Sequence, residues 1–162
     1  MEAVQEDFQQ LTVHHDTVRL RSEEPTQFID LTESVVSAAR LSGVAYGFVA
    51  IQVLHTTAAI VINENEPLLL DDLKAMLERL APSDAVYAHD DPHRRRVNRL
   101  PEERANGRAH ARALLLGTSQ VVNIVEGRVV LGRWQSVMLV ELDGPRERSI
   151  SITVMGFRKY RA

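Results

Sequence analysis

Hydrophobic and polar positions change period several times along this chain, and each change marks an element. From Leu11 to Leu20, Val, Thr and His residues run in a pattern suited to a strand that tolerates solvent, and Ser22 to Pro25 supply a turn. Leu31, Val35, Val36, Ala39 and Leu41 then fall near helical spacing, Asp30 and Glu33 stand at capping-box distance, and Gly43 suits the position that ends a helix. A helix of about three turns is expected there. Gly47 to His55 sets Phe48, Ala50, Gln52 and Leu54 against Val49, Ile51 and Val53, apolar on both faces apart from Gln52, as in a strand covered on both sides. Ala58 to Asn63 continues as strand, so His55 falls between two strands.

Pro67 suits the first turn of a second helix, whose stripe of Leu68, Leu69, Leu73, Met76, Leu77 and Leu80 ends before Pro82. A third helix is expected over Arg104 to Leu116, with His110 inside it and Gly117 as its cap. Beyond it the chain turns β-rich. Val121 to Val125, Arg128 to Leu131, Trp134 to Leu142 and Arg148 to Val154 are short runs divided by Glu126-Gly127, Gly132-Arg133 and Asp143-Gly144-Pro145, which predicts an antiparallel meander. Helices and strands do not alternate strictly, so an α+β domain spanning 1–162 is expected rather than a doubly wound parallel sheet.

Composition changes this picture in two ways. The absence of cysteine removes disulfides, thiolate metal sites and a cysteine nucleophile together, and suits a reducing compartment. Met1 to Gln10 carries Glu2, Glu6 and Asp7 without an apolar stretch, unlike a secretory signal, and the longest apolar run, Val44 to Leu54, is far shorter than the ~20 residues of a membrane span. A cytoplasmic location with no membrane partner is expected.

Charge adds a local signal. The formal net charge of -3 gives no reason to expect a polyanion, yet Arg94, Arg95, Arg96, Arg99, Arg104, Arg108 and Arg112 crowd one stretch. Guanidinium matches phosphate bidentately, so this run reads either as a solvated loop or as a clamp for phosphate or another anion. Nucleic acid is not expected, because the run lacks aromatic residues to stack bases.

Candidate chemistry centres on three histidines in unlike surroundings. His55 precedes Thr56 and Thr57 at a strand end, His89 follows Tyr87 and precedes Asp90 and Asp91, and His110 shares a helix face with Asn106. Each has a bland reading: a half-buried strand residue, a solvated acidic loop, a polar helix surface. Imidazole ligates transition metals and carries protons near neutral pH, so convergence of the three would make a site. No local metal signature is present, and only the fold could bring them together.

These pieces occur together as His55-Thr56-Thr57-Ala58, Asn63-Glu64, Tyr87-x-His89, Asn106-x-x-Ala109-His110, Gly117-x-Ser119, Gly127, Leu131-Gly132-x-Trp134-Gln135 and Glu141-x-Asp143-Gly144-Pro145-Arg146. In that order they resemble the YjbQ-like family, often described as secondary thiamine-phosphate synthases, over about Leu11 to Gly156. The resemblance implies an α+β fold with a β-sandwich core and about three helices. It implies a homotrimer with a pocket near the subunit boundary, where His55, His89 and His110 gather around a zinc-like ion or an anion. It also implies catalytic roles for these histidines and Arg146, and substrate contacts from Thr56, Asn63, Glu64, Asn106, Trp134 and Gln135. Two departures stand out: Arg133 replaces a Thr common in the family, and the stretch from Asp90 to Ala105 is longer and richer in arginine.

The activity so implied joins a pyrimidine diphosphate to a thiazole phosphate with release of pyrophosphate, Arg146 and the arginine run neutralising the leaving group. Diphosphate chemistry employs Mg²⁺, which wants oxygen ligands, whereas three imidazoles suit zinc. That tension leaves two alternatives: a metal-dependent hydrolase or lyase, and a trimeric protein that binds an anionic metabolite without turning it over.

Overall fold

The computed structural model describes residues 11–158, so the acidic segment Met1 to Gln10 lies outside the described residues. The elements run β1 (Leu11–Arg21), β2 (Gln27–Asp30), α1 (Thr32–Ser42), β3 (Tyr46–Val53), β4 (Ala58–Asn63), α2 (Pro67–Leu80), a 3-10 turn at Ala88–Asp90, α3 (Gly107–Leu116), β5 (Ser119–Val125), β6 (Arg128–Val129), β7 (Ser136–Glu141) and β8 (Glu147–Phe157). Among the described residues the fold is α+β with three α-helices, as the pattern and the resemblance imply.

Two antiparallel sheets form, one in the order β1-β8-β3-β5-β6 and one in the order β2-β7-β4. Alternation sorts the side chains into layers. Val49, Ile51 and Val53 of β3, Ile150, Ile152 and Val154 of β8, and Val122 and Ile124 of β5 point inward from the larger sheet, meeting Ile60 of β4, Leu139 of β7 and Val35 of α1. The small sheet is buried on its other face too, where Ala59 and Val140 meet Leu77 of α2 and Ala109 and Ala113 of α3. This double burial explains why β4 and β7 read as nearly continuous apolar runs.

The expected meander does not form. Only β5 and β6 pair as a hairpin; β7 crosses to the smaller sheet between β2 and β4, and β8 returns to the centre of the larger one between β1 and β3. Turn signals locate chain reversals but do not choose pairing partners. The four-residue strand β2 escaped prediction because it lies where a helix start was expected. Asp30 ends that strand, and its carboxylate accepts Thr32 N–H at 2.7 Å, rather than the Glu33 N–H of a capping box. Trp134 and Gln135 precede β7 instead of beginning it, and α3 starts at Gly107 instead of Arg104.

Helix ends otherwise follow the sequence. Gly43 adopts a left-handed φ of 69° after α1. Glu66 accepts from Leu68 N–H and Leu69 N–H at 3.0 and 2.8 Å, with Pro67 in the first turn of α2.

Candidate functional site

Three corners of the fold meet at one end of the sandwich: the β3–β4 corner carrying His55, the turn and helix carrying His89 and His110, and the β7–β8 corner carrying Asp143, Arg146 and Arg148. They enclose a cavity of about 460 Å³, within the range of small-molecule sites.

The β7–β8 corner is the most heavily wired. Glu141 is fully buried, and its carboxylate accepts from Leu142 N–H and Asp143 N–H at 2.9 and 2.7 Å, from Ser22 Oγ at 2.8 Å and from Arg148 Nε at 2.7 Å. Arg148, also buried, reaches past Glu141 with Nη2 to the Thr57 hydroxyl at 3.1 Å, tying this corner to the His55 loop. Burial acts to raise the Glu141 pKa, but the bonds from Arg148, Asp143 N–H and Ser22 outweigh it and hold the carboxyl below its ordinary range. Gly144 is obligatory here, since a Cβ would lie 2.0 Å from the Glu24 carbonyl oxygen and 2.8 Å from Glu141 Cγ. Asp143, buried as well, pairs with Arg146 Nη2 at 2.8 Å and Arg104 Nε at 3.2 Å.

His89 and His110 come together because Asp90 splices their elements. Its Oδ1 accepts Asn106 N–H at 2.9 Å and Gly107 N–H at 2.8 Å, capping α3 from the turn that carries His89. Gly107 permits the approach, since a Cβ there would lie 2.5 Å from Tyr87 Cβ. The rings meet edge-on with centroids 4.6 Å apart. Burial, then neighbouring His89 and Arg95, lowers the His110 pKa against the opposing pull of Asp143 and Glu103, so this imidazole is neutral at neutral pH. His89 Nε2 and Asn106 Oδ1 are buried without hydrogen-bond partners.

His55 lines the same cavity in a different state. Its Nε2 accepts the Ser149 backbone N–H at 2.9 Å, which places the proton of the neutral ring on Nδ1. Burial and the charge of Arg148 lower its pKa. Among the described residues no group of three His, Asp or Glu side chains is arranged to hold a metal ion. The three imidazoles thus share a cavity without forming a common ligand set.

Of the other expected contacts, Thr56, Asn106 and Arg146 line the cavity. Asn63, Glu64, Trp134 and Gln135 lie at the far end of the β4–β7 ladder, where Asn63 pairs with Ser136 while Ala58 pairs with Glu141, roughly 17 Å away at strand rise. Asn63 Oδ1 accepts Glu64 N–H at 2.8 Å, Gln135 Oε1 accepts Gly132 N–H at 2.7 Å, and the departing Arg133 stacks its guanidinium 4.8 Å from the Trp134 ring centre.

The arginine run divides. Arg112 is buried and structural, donating to the Ala81 carbonyl at 2.8 Å and pairing with Glu78. Arg95 pairs with Glu103 at 2.7 Å and lines the cavity. Sequence reasoning places Arg148 with Arg146 at a strand start where an anion could bind, but it gives no site role to Glu141 or Asp143. The signal was a Glu-x-Asp-Gly-Pro-Arg corner ending an otherwise apolar strand, where acids are costly unless paired.

The family model described as "UPF0047 protein YjbQ-like" matches residues 16–157. A UPF0047 protein of Methanothermobacter thermautotrophicus is 39% identical over 146 residues, spanning 90% of this chain and 94% of its own length. The UPF0047 protein YugU of Bacillus subtilis is 36% identical over 141 residues, spanning 86% and 98%. Among solved structures, a YbjQ-like protein of unknown function from Sulfolobus solfataricus superposes with a TM-score of 0.81 at 32% identity, covering 91% of this chain and 99% of that one. A hypothetical protein from Aeropyrum pernix gives 0.77 at 31%, covering 88% and 98%. These names carry a family and no reaction. They overturn the expectation of a thiamine-phosphate synthase, and none describes a hydrolase, a lyase or a metabolite-binding protein. Among the described residues no three-residue ligand group is arranged at the histidines expected to hold a metal, and His55 gives its Nε2 to the Ser149 N–H.

Proposed function

The chain belongs to the UPF0047 YjbQ-like family, and from the cavity this member builds we propose that it holds a small phosphorylated molecule or inorganic anion and moves a proton on it through the His89–His110 pair. The observation that carries the reading is that pair: two imidazoles in contact, one kept neutral, the other with a buried unpartnered Nε2, facing a cavity lined by Arg95, Arg146 and Arg148.

Arg146 spends Nε on the Asp143 carbonyl at 3.2 Å and a hydrogen of Nη2 on the Asp143 carboxylate, which leaves Nη1 for an oxyanion. A neutral imidazole beside an incoming dianion gains proton affinity, because the new negative charge favours its cationic form. Binding then primes the pair as an acid, and release returns it to a base.

The test is calorimetric titration of sulfate, a dianion that has no proton to release on binding, into the full chain near pH 6.5, in two buffers of different ionisation enthalpy. The reading expects net proton uptake on binding, and loss of that uptake in His110→Gln with binding retained. Absence of binding, or binding without proton uptake, overturns it.

A divalent ion enters this proposal only on the phosphate, as Mg²⁺ carried by its oxygens, since the pocket offers no three-residue ligand group among the described residues. Two further parts of the reading concern setting. Among the described residues no helix is long and apolar enough to cross a membrane, and the absence of cysteine supports a cytoplasmic location. A homotrimer is supported by the outer face of the larger sheet, where Leu11, Val13, Phe48, Val121 and Val125 are exposed; light scattering that finds a monomer would remove it.

A further inference from the structure

Residues 91–106 form a strap without strand or α-helix that lines the cavity through Arg95, Asn98, Glu103 and Asn106. Glu103 stands at its centre. The same side chain borders the histidine cavity, a cavity of about 190 Å³ beneath the strap and one of about 720 Å³ beside Arg146. Its carboxylate receives Arg95 Nη1 at 2.7 Å; desolvation acts to raise its pKa, the Arg95 pair and the nearby Asn106 carboxamide help to lower it, and its charge is felt by His110.

A guanidinium bound to one carboxylate, with a carboxamide and the His89 and His110 imidazoles lining the same cavity, makes up an oxyanion site, here occupied by the chain's own side chain. We propose that Glu103 is a placeholder: an oxyanionic group of the ligand, carboxylate or phosphate, displaces it to bind Arg95 and the Asn106 amide, and the strap opens as it leaves. This rests on the anion-pocket reading above.

The local bonding favours a placeholder over a plain loop staple. Asn106 is buried and turns its amide nitrogen to Asp143 Oδ2 at 3.4 Å. A carboxylate only accepts, so the amide orientation is set and Oδ1 is left as an acceptor that Asp143 cannot serve. Asn106 Oδ1 and His89 Nε2 remain buried and unpartnered with Glu103 in place, although buried polar groups are nearly always paired. Glu103 fills the anion position without completing the site. Both orphaned atoms are buried in this arrangement, so a ligand that serves them must first displace neighbouring groups.

The competition is intramolecular, so it weakens apparent affinity by the fraction of molecules that are open; a contact closed in about nine molecules of ten costs about tenfold. Phosphate binding is compared by calorimetry for wild type, Glu103→Gln and Arg95→Gln, each checked for native circular dichroism and cooperative melting. Glu103→Gln is expected to bind about tenfold more tightly and Arg95→Gln to bind more weakly than wild type.

Histidine ring NMR gives a second readout. The groups acting on His110 are His89, Arg95, Asp143 and Glu103. Removing the Glu103 charge should lower the His110 midpoint in the free protein, and saturating phosphate should raise it again. Equal phosphate affinity in wild type and Glu103→Gln, or weaker binding in the variant, overturns the placeholder while leaving the anion pocket standing. An unmoved His110 midpoint in a folded Glu103→Gln variant also overturns it. No phosphate binding to any of the three proteins brings down both readings.

Discussion

Replacing Glu141 with Gln should be among the most destabilising single changes in this protein. The side chain is fully buried, and its two oxygens accept from two backbone amides, one hydroxyl and two guanidinium nitrogens. Gln keeps the volume and one acceptor, so the backbone bonds of Leu142 and Asp143 can survive. At the other position an NH₂ group replaces an acceptor and points its hydrogens at Arg148 Nε–H. Arg148 is itself buried and then has no counter-charge. Removing one partner from a buried ion pair costs about 3–5 kcal/mol, roughly a fifth or more of the stability of a typical domain.

With a urea slope of about 2 kcal/mol per molar, a loss of about 4 kcal/mol moves the unfolding midpoint down by about 2 M. The double variant Glu141→Leu with Arg148→Met removes both charges, and it should be less destabilised than the sum of its single variants by about 2 kcal/mol or more. Glu141 is depressed in the folded state, so its contribution is complete above the ordinary carboxylate range and is lost as pH falls through its lowered pKa. The gap between wild type and Glu141→Gln should therefore narrow in acid. A loss below about 1 kcal/mol at neutral pH would refute the reasoning, as would strictly additive effects in the double variant.

Other expectations follow from single contacts. Asp90→Ala removes the acceptor that caps α3 and should cost about 1 kcal/mol in urea unfolding, with Asp90→Asn recovering most of it; an unchanged midpoint in Asp90→Ala would show the cap is idle. Glu78 is held down to about 2 by Ser83 backbone and hydroxyl bonds and by Arg112, so its contribution, present above 4.5, should disappear between 4.5 and about 2. Its exposed carboxylate keeps the effect small. A wild-type advantage over Glu78→Gln that persists unchanged to pH 2 would contradict this assignment. Trp134 is 63% exposed and lies outside the cavity, so Trp134→Ala should leave phosphate affinity within about twofold by calorimetry.

Local patterning determined most of the elements here. Gly43 and Pro67 mark helix ends because each has a backbone constraint that acts within a few residues, and the apolar stripes of α1 and α2 follow from helical period alone. The two-faced apolar run of β3 announced burial on both sides, yet Val49, Ile51 and Val53 are buried while Phe48 and Leu54 on its other face are exposed, because among the described residues no layer covers that side of the larger sheet; β4 is the strand covered on both faces. Family membership was legible too, because the order of short motifs survives in the linear chain. What sequence could not decide is which strands pair and which side chains converge, since both depend on contacts between residues far apart in the chain. The crossing of β7 to the smaller sheet sets Glu141 opposite Arg148, and the Asp90 cap on α3 sets His89 against His110, neither of which any local spacing encodes. The same tertiary geometry separated His55 from a shared ligand role by giving its Nε2 to Ser149, and left Asn63, Glu64, Trp134 and Gln135 at the far end of the β4–β7 ladder. Residue identity told what chemistry each side chain can do; the packing of two sheets and three helices decided which of them meet.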